Sequence, residues 1–134
     1  MVPLTLYDDD ADSSATIVPG FRRRVGRTRN VAVMTESTLP LPDQIAAIKI
    51  DVEGGELWVI EGLMQTIRRA RPHIVVEILP SKGSSGRLER QERLQALLFD
   101  CGYRVFSVRG GITEIPSIAA DRSKNDVDFV FSPR

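Results

Sequence analysis

The sequence has a single cysteine, Cys101, so it cannot close an internal disulfide, and one thiol is too few for a metal cluster. A reducing, cytoplasmic setting is the default that follows. Net charge is lacking too, because 18 basic residues cancel 18 acidic ones. The whole-chain field therefore gives no reason to expect nucleic acid or an anionic membrane as the main partner. No segment approaches the ~20 apolar residues of a membrane span. The start, Val2-Pro3-Leu4-Thr5 and then four aspartates between Asp8 and Asp12, lacks the basic opening and longer apolar run of a signal peptide. A soluble protein is expected. Lys82-Gly83-Ser84-Ser85-Gly86 lacks the Gly-Lys-Ser/Thr ending of a phosphate loop and reads as a linker.

What is present is material for one core: 134 residues, 42% of them hydrophobic, enough for a single domain over 1–134 and too few for a second. Val2, Leu4 and Leu6 alternate with Pro3, Thr5 and Tyr7 at strand period. The run Asp8 to Ser14 reads as a turn or loop, because Asp and Ser bond turn backbone with their own side chains. Ala15 to Val18 and Val31 to Thr35 read as two further strands, which makes 1–42 a small antiparallel β meander. Arg22, Arg23, Arg24, Arg27 and Arg29 form the one strong charge cluster, but no aromatic platform beyond Phe21 accompanies it, so a solvated surface is the reading preferred to a phosphate contact.

From residue 43 onward strands and helices alternate. Ile45 to Ile50 is a mostly apolar run of strand length, as expected where both faces of a sheet are covered. Gly54-Gly55 breaks it, and Leu57, Ile60, Leu63, Met64 and Ile67 then recur on one face of a helix that Pro72 stops. His73 to Leu79 is a β-branched strand, so residues 45–79 have the size of a parallel crossover. A helix from Arg87 to Asp100 should turn Leu88, Leu94, Leu97, Leu98 and Cys101 inward, with Gly102 as its cap. Strands at Tyr103 to Val108 and Val127 to Phe131, joined by a polar connection, complete a βαβαββ half over 43–134.

Asp51 stands where the first apolar strand ends, and the carboxyl edge of an open α/β sheet is where ligands bind. Glu53 is two residues on and would leave on the same side if the chain stayed extended. Glu53 and Glu56 also lie at a helix start, where free amides and the dipole suit any acid. Glu77 is near the end of the neighbouring strand, and parallel pairing would carry it toward the edge that holds Asp51. An acid in an apolar strand needs partners, and Lys49, His73 or backbone amides are the structural alternatives. His73 lies at the opposite strand end and is not expected to share a site with Glu77.

Ile48-Lys49-Ile50-Asp51-Val52-Glu53-Gly54-Gly55-Glu56, then Ile60-Glu61-Gly62 and Arg71-Pro72-His73-Ile74-Val75-Val76-Glu77, resembles the core signature of FkbM-type S-adenosylmethionine-dependent methyltransferases. The resemblance is dense from about residue 45 to 79 and extends weakly to the Tyr103 and Phe129 strands and back to Ser13-Ser14. It implies an α/β, Rossmann-like sheet of parallel strands with an antiparallel last strand. It implies S-adenosylmethionine as cofactor and a methyl group moved to a hydroxyl oxygen of a small molecule or sugar. It further implies that Asp51 lies beside donor and acceptor, that Asp51, Glu53 and Glu77 are the catalytic acids that orient or deprotonate the hydroxyl, and that Asp51 and Ser14 contact the cofactor. The strand, glycine-rich turn and helix that grip the cofactor in such enzymes have no match between Met1 and Pro42. The expectation is thus a truncated, C-terminal half of the domain, inactive alone, whose Ile45 to Ile50 strand lies at a sheet edge open to a second copy or a partner chain.

Two other readings compete. A non-catalytic α/β protein-interaction module would use that edge and the arginine cluster. A metal-dependent hydrolase would use Asp51, Glu53 and Glu77 as oxygen ligands for a hard cation such as magnesium.

Overall fold

The computed structural model describes residues 2–9, 12–19, 27–80, 85–121 and 127–134, with residues 7–9, 12–14 and 85 described by backbone alone. Strands β1 (Val2–Asp9), β2 (Asp12–Thr16) and β3 (Arg27–Val31) form an antiparallel sheet in the order β2-β1-β3. The expected meander is therefore present, with shifted edges. β1 and β2 pair as far as Asp9 opposite Asp12, so most of the acidic run is strand rather than loop. Cross-strand pairing overrides the turn preference of Asp and Ser there. β3 begins at Arg27, inside the arginine-rich stretch, with Arg27 opposite Leu6 and Val31 opposite Val2. Arg22, Arg23 and Arg24 lie outside the described residues.

The main sheet has the order β4-β5-β8-β6-β7, from β4 (Ala47–Ile50), β5 (His73–Ile78), β6 (Tyr103–Ser107), β7 (Thr113–Ile115) and β8 (Val127–Pro133). β4 and β5 are parallel, and β8 runs antiparallel between β5 and β6, as expected of the last strand. The fold is α/β with a mixed sheet beside a small antiparallel one. β7, a short edge strand in the connection read as irregular, was not expected; it pairs antiparallel with β6.

Alternation along the strands assigns the two faces. Ile74, Val76 and Ile78 of β5, Val127, Phe129 and Phe131 of β8, and Tyr103 and Val105 of β6 are buried on one side. There they meet Leu57 and Ile60 of α1 (Glu56–Gly62), Ile67 of α2 (Met64–Ala70), and Leu94 and Leu98 of α3 (Ser85–Asp100). At ~25 cal/mol per Å2 of apolar surface, this side is the main source of folding free energy. The other side carries Lys49, Val75, Glu77, Asp128 and Val130, none of them buried. Leu88, expected to face inward, is exposed, and α3 begins at Ser85 within the stretch read as a linker.

The helix expected from Glu56 is two helices. Leu63, at φ −106° and ψ 11°, interrupts the run, and its N–H is shared between the carbonyls of Val59 (3.0 Å) and Ile60 (3.1 Å). Gly62 weakens the helix just before the break. Glu36, in the 3-10 turn Glu36–Thr38, then accepts hydrogen bonds from the N–H groups of Gln65 (3.1 Å) and Thr66 (3.0 Å) at the start of α2. Burial would raise the Glu36 carboxyl, but these amide donors outweigh it and hold the group below its usual range.

Candidate functional site

β4 delivers Asp51 to the carboxyl edge of the sheet, exposed to solvent. Parallel register sets Ile50 beside Val76, so the next residues along the two strands are Asp51 and Glu77. They meet: the Glu77 carboxyl is pushed up to about 7, first by its hydrogen bond with Asp51, then by burial and the Asp51 charge. Two neighbouring carboxylates cannot both ionise cheaply, which is why Glu77 keeps its proton to higher pH. Lys49 opposes the shift, and Asp128, directly opposite Glu77 on β8, adds to it. Lys49 Nζ donates to Asp128 Oδ1 at 2.6 Å, with both side chains about half exposed.

Glu53 does not continue the strand. Its φ is +50°, in the left-handed region, and Gly54 follows at +97°. That turn ends the extended geometry which would have set Glu53 on the side of Asp51. Glu53 lies instead near Glu56, whose Oε1 accepts from the Gly54 N–H at 2.6 Å. Burial pushes Glu56 up, with the amides of Gly54 and Glu56 itself pulling the other way. Among the described residues no group of three or more His, Cys, Asp or Glu is placed to hold a metal ion. The three acids proposed as magnesium ligands for a hydrolase do not form such a group.

The turn is tied to the small sheet by one buried side chain. Thr16 Oγ1 donates to the Glu53 carbonyl at 2.7 Å and accepts from the Val18 N–H at 3.1 Å. Between the sheets a cleft of about 510 Å3 opens, in the range of small-ligand sites. The meander contributes Leu4, Ala15 and Ile17 to its wall, and the segment after β3 contributes Val33, Met34 and Leu39. Val52, Trp58, Val59 and Leu63 form the opposite wall, and Asp51 lies at its edge.

Of the acids singled out in the sequence, the structure brings Asp51 and Glu77 together and leaves Glu53 at the turn. Ser14 lies in β2 opposite Tyr7, and its side chain is outside the described residues. His73 is exposed at the far end of β5, where its N–H bonds the Ala46 carbonyl at 2.9 Å. Sequence reasoning missed Asp128, although an acid between Val127 and Phe129 in an alternating strand signals a position on the uncovered face. It also missed Thr16 and Trp58, for which no local pattern gives a signal.

Among the described residues no helix is long and apolar enough to cross a membrane. A family model described as the methyltransferase FkbM domain matches residues 3–105. No curated protein and no solved structure is significantly similar to the chain.

Proposed function

The chain belongs to the FkbM methyltransferase domain family, and from that premise we propose that, once a partner chain supplies the cofactor-gripping glycine-rich turn, it methylates a hydroxyl oxygen of a small molecule or sugar with S-adenosylmethionine as donor, and that it is inactive alone. The observation that carries this reading is the placement of Asp51 and Glu77 as neighbours at the carboxyl edge of the sheet, where Asp51 borders the cleft. When bound, the cofactor supplies a methyl group on a positively charged sulfur. A carboxylate at the edge of the cleft suits that positive charge, and Asp51 would stand beside it there. The family resemblance adds Ser14 as a cofactor contact.

The acceptor oxygen must lose its proton as it takes the methyl group. Asp51 is placed to accept the hydroxyl hydrogen bond and fix its direction, and alignment of this kind lowers the barrier by several kcal/mol. Glu77, with its carboxyl near 7, gains and loses a proton around neutral pH, which suits a general base. Glu53 and Glu56 support the turn that presents Asp51. The test, with that partner chain present, is transfer of an isotopically labelled methyl group from S-adenosylmethionine to a panel of hydroxylated compounds. Label in an acceptor, lost in Asp51→Asn, is the expected result.

A second reading is favoured by the position of β4, which occupies one edge of the main sheet. An edge strand offers unpaired backbone to a second copy or to a partner chain, as in a non-catalytic interaction module. Concentration-dependent sedimentation, together with no calorimetric signal for the donor at millimolar concentration, would favour it over the enzyme.

A further inference from the structure

We propose that the acceptor is an apolar-bodied alcohol, a molecule with an aliphatic or alicyclic frame and a hydroxyl at one end, rather than a sugar. The inference rests on the methyl-transfer reading and names the substrate class of the same site. It starts from the polar groups of the cleft. Thr16 is engaged with the Glu53 carbonyl and the Val18 amide, and Glu36 with the amides that begin α2. Among the described residues Asp51 is the remaining acid of the lining. A sugar brings a hydroxyl on nearly every carbon, and each one buried without a partner costs about 1–3 kcal/mol. The two oxygens of one carboxylate can take one hydroxyl or an adjacent pair, which leaves most of a sugar's hydroxyls facing aliphatic side chains.

The walls favour the opposite chemistry. Leu4, Ile17, Val52, Val59 and Leu63 are aliphatic, and at the rim Val33, Met34 and Trp58 remain 61%, 58% and 42% exposed. An apolar body laid between the sheets would remove this surface from water at ~25 cal/mol per Å2. Met34 adds a flexible thioether that adapts to irregular shapes. Such an occupant enters with its frame against the meander and its hydroxyl at Asp51, which has Glu77 as its neighbour on β5.

Trp58 is the sole tryptophan of the chain and lines the cleft, so its fluorescence reports occupancy without any turnover. Titration of the 134-residue chain with 1-octanol should give a saturable blue shift of the Trp58 emission. Methyl β-glucopyranoside over the same range should give none. Met34→Glu and Val33→Glu, both at exposed rim positions that do not burden folding, should each weaken octanol binding at least tenfold. The proposal is overturned by no saturable shift with octanol, by an equal response to the glucoside, or by unchanged binding in both variants. Labelled methyl transfer to a sugar in that event would leave the methyltransferase reading standing and reject only the substrate class. Saturable octanol binding without methyl transfer to any alcohol would support the ligand class and count against the transfer.

Discussion

Under the proposed reaction a hydroxyl proton has to leave as its oxygen is alkylated, and Glu77, beside Asp51 at the sheet edge, is the proposed place for it to go. If Glu77 serves as the base, turnover should rise with pH and level off above about 7, where its carboxyl is ionised. In Glu77→Gln that limb should vanish and the plateau rate fall by ~10²–10⁴-fold, the range typical of a lost general base. A pH–rate profile of both proteins checks this, and an unchanged profile would remove Glu77 from the proton path. Asp51 and Glu77 were legible in the sequence because a strand end and a parallel register are local properties. Glu53 was misplaced, since nothing in Asp51-Val52-Glu53 announces a left-handed residue. Asp128 escaped notice because it belongs to a strand far along the chain.

The helices and small strands show where periodicity stops being informative. Leu57, Ile60, Met64 and Ile67 keep helical spacing straight through the break at Leu63, so the pattern reads as one helix. What divides it is a glycine and a carboxylate brought from Glu36, and only the tertiary structure supplies the second. Glu36→Ala should cost ~1 kcal/mol, like the loss of a helix cap, and weaken hydrogen-exchange protection at Gln65 and Thr66. Gly62→Ala should instead stabilise by ~0.5–1 kcal/mol: an added Cβ meets nothing within 4 Å and the helix propensity improves. Chemical denaturation of the two variants reads both effects. β5 was readable because its β-branched run is long and buried on alternate residues, whereas β2 and β3 hold acidic and basic residues in strands that their composition argues against. Their geometry comes from β1, to which both are paired.

At the scale of the whole molecule, one face of the main sheet carries the helices and the core, and the other carries charges. The Glu77 carboxyl therefore also influences global stability. Its folded value is raised above the ordinary 4.5, so its stabilising contribution is complete below about pH 4.5 and is lost as pH rises through about 7. With screening at this partly exposed position the effect is on the order of 1–2 kcal/mol. Denaturant midpoints measured at pH 5 and pH 8 should show that difference in the wild type and little of it in Glu77→Gln. The cleft is the remaining large-scale feature, a gap between two sheets linked by the Thr16 hydroxyl. A body that fills it acts as a missing piece of core. Free, the small sheet leans on a void; occupied, it gains a second layer to rest on, so ligand and fold would tighten together and the melting temperature would climb with the logarithm of ligand concentration.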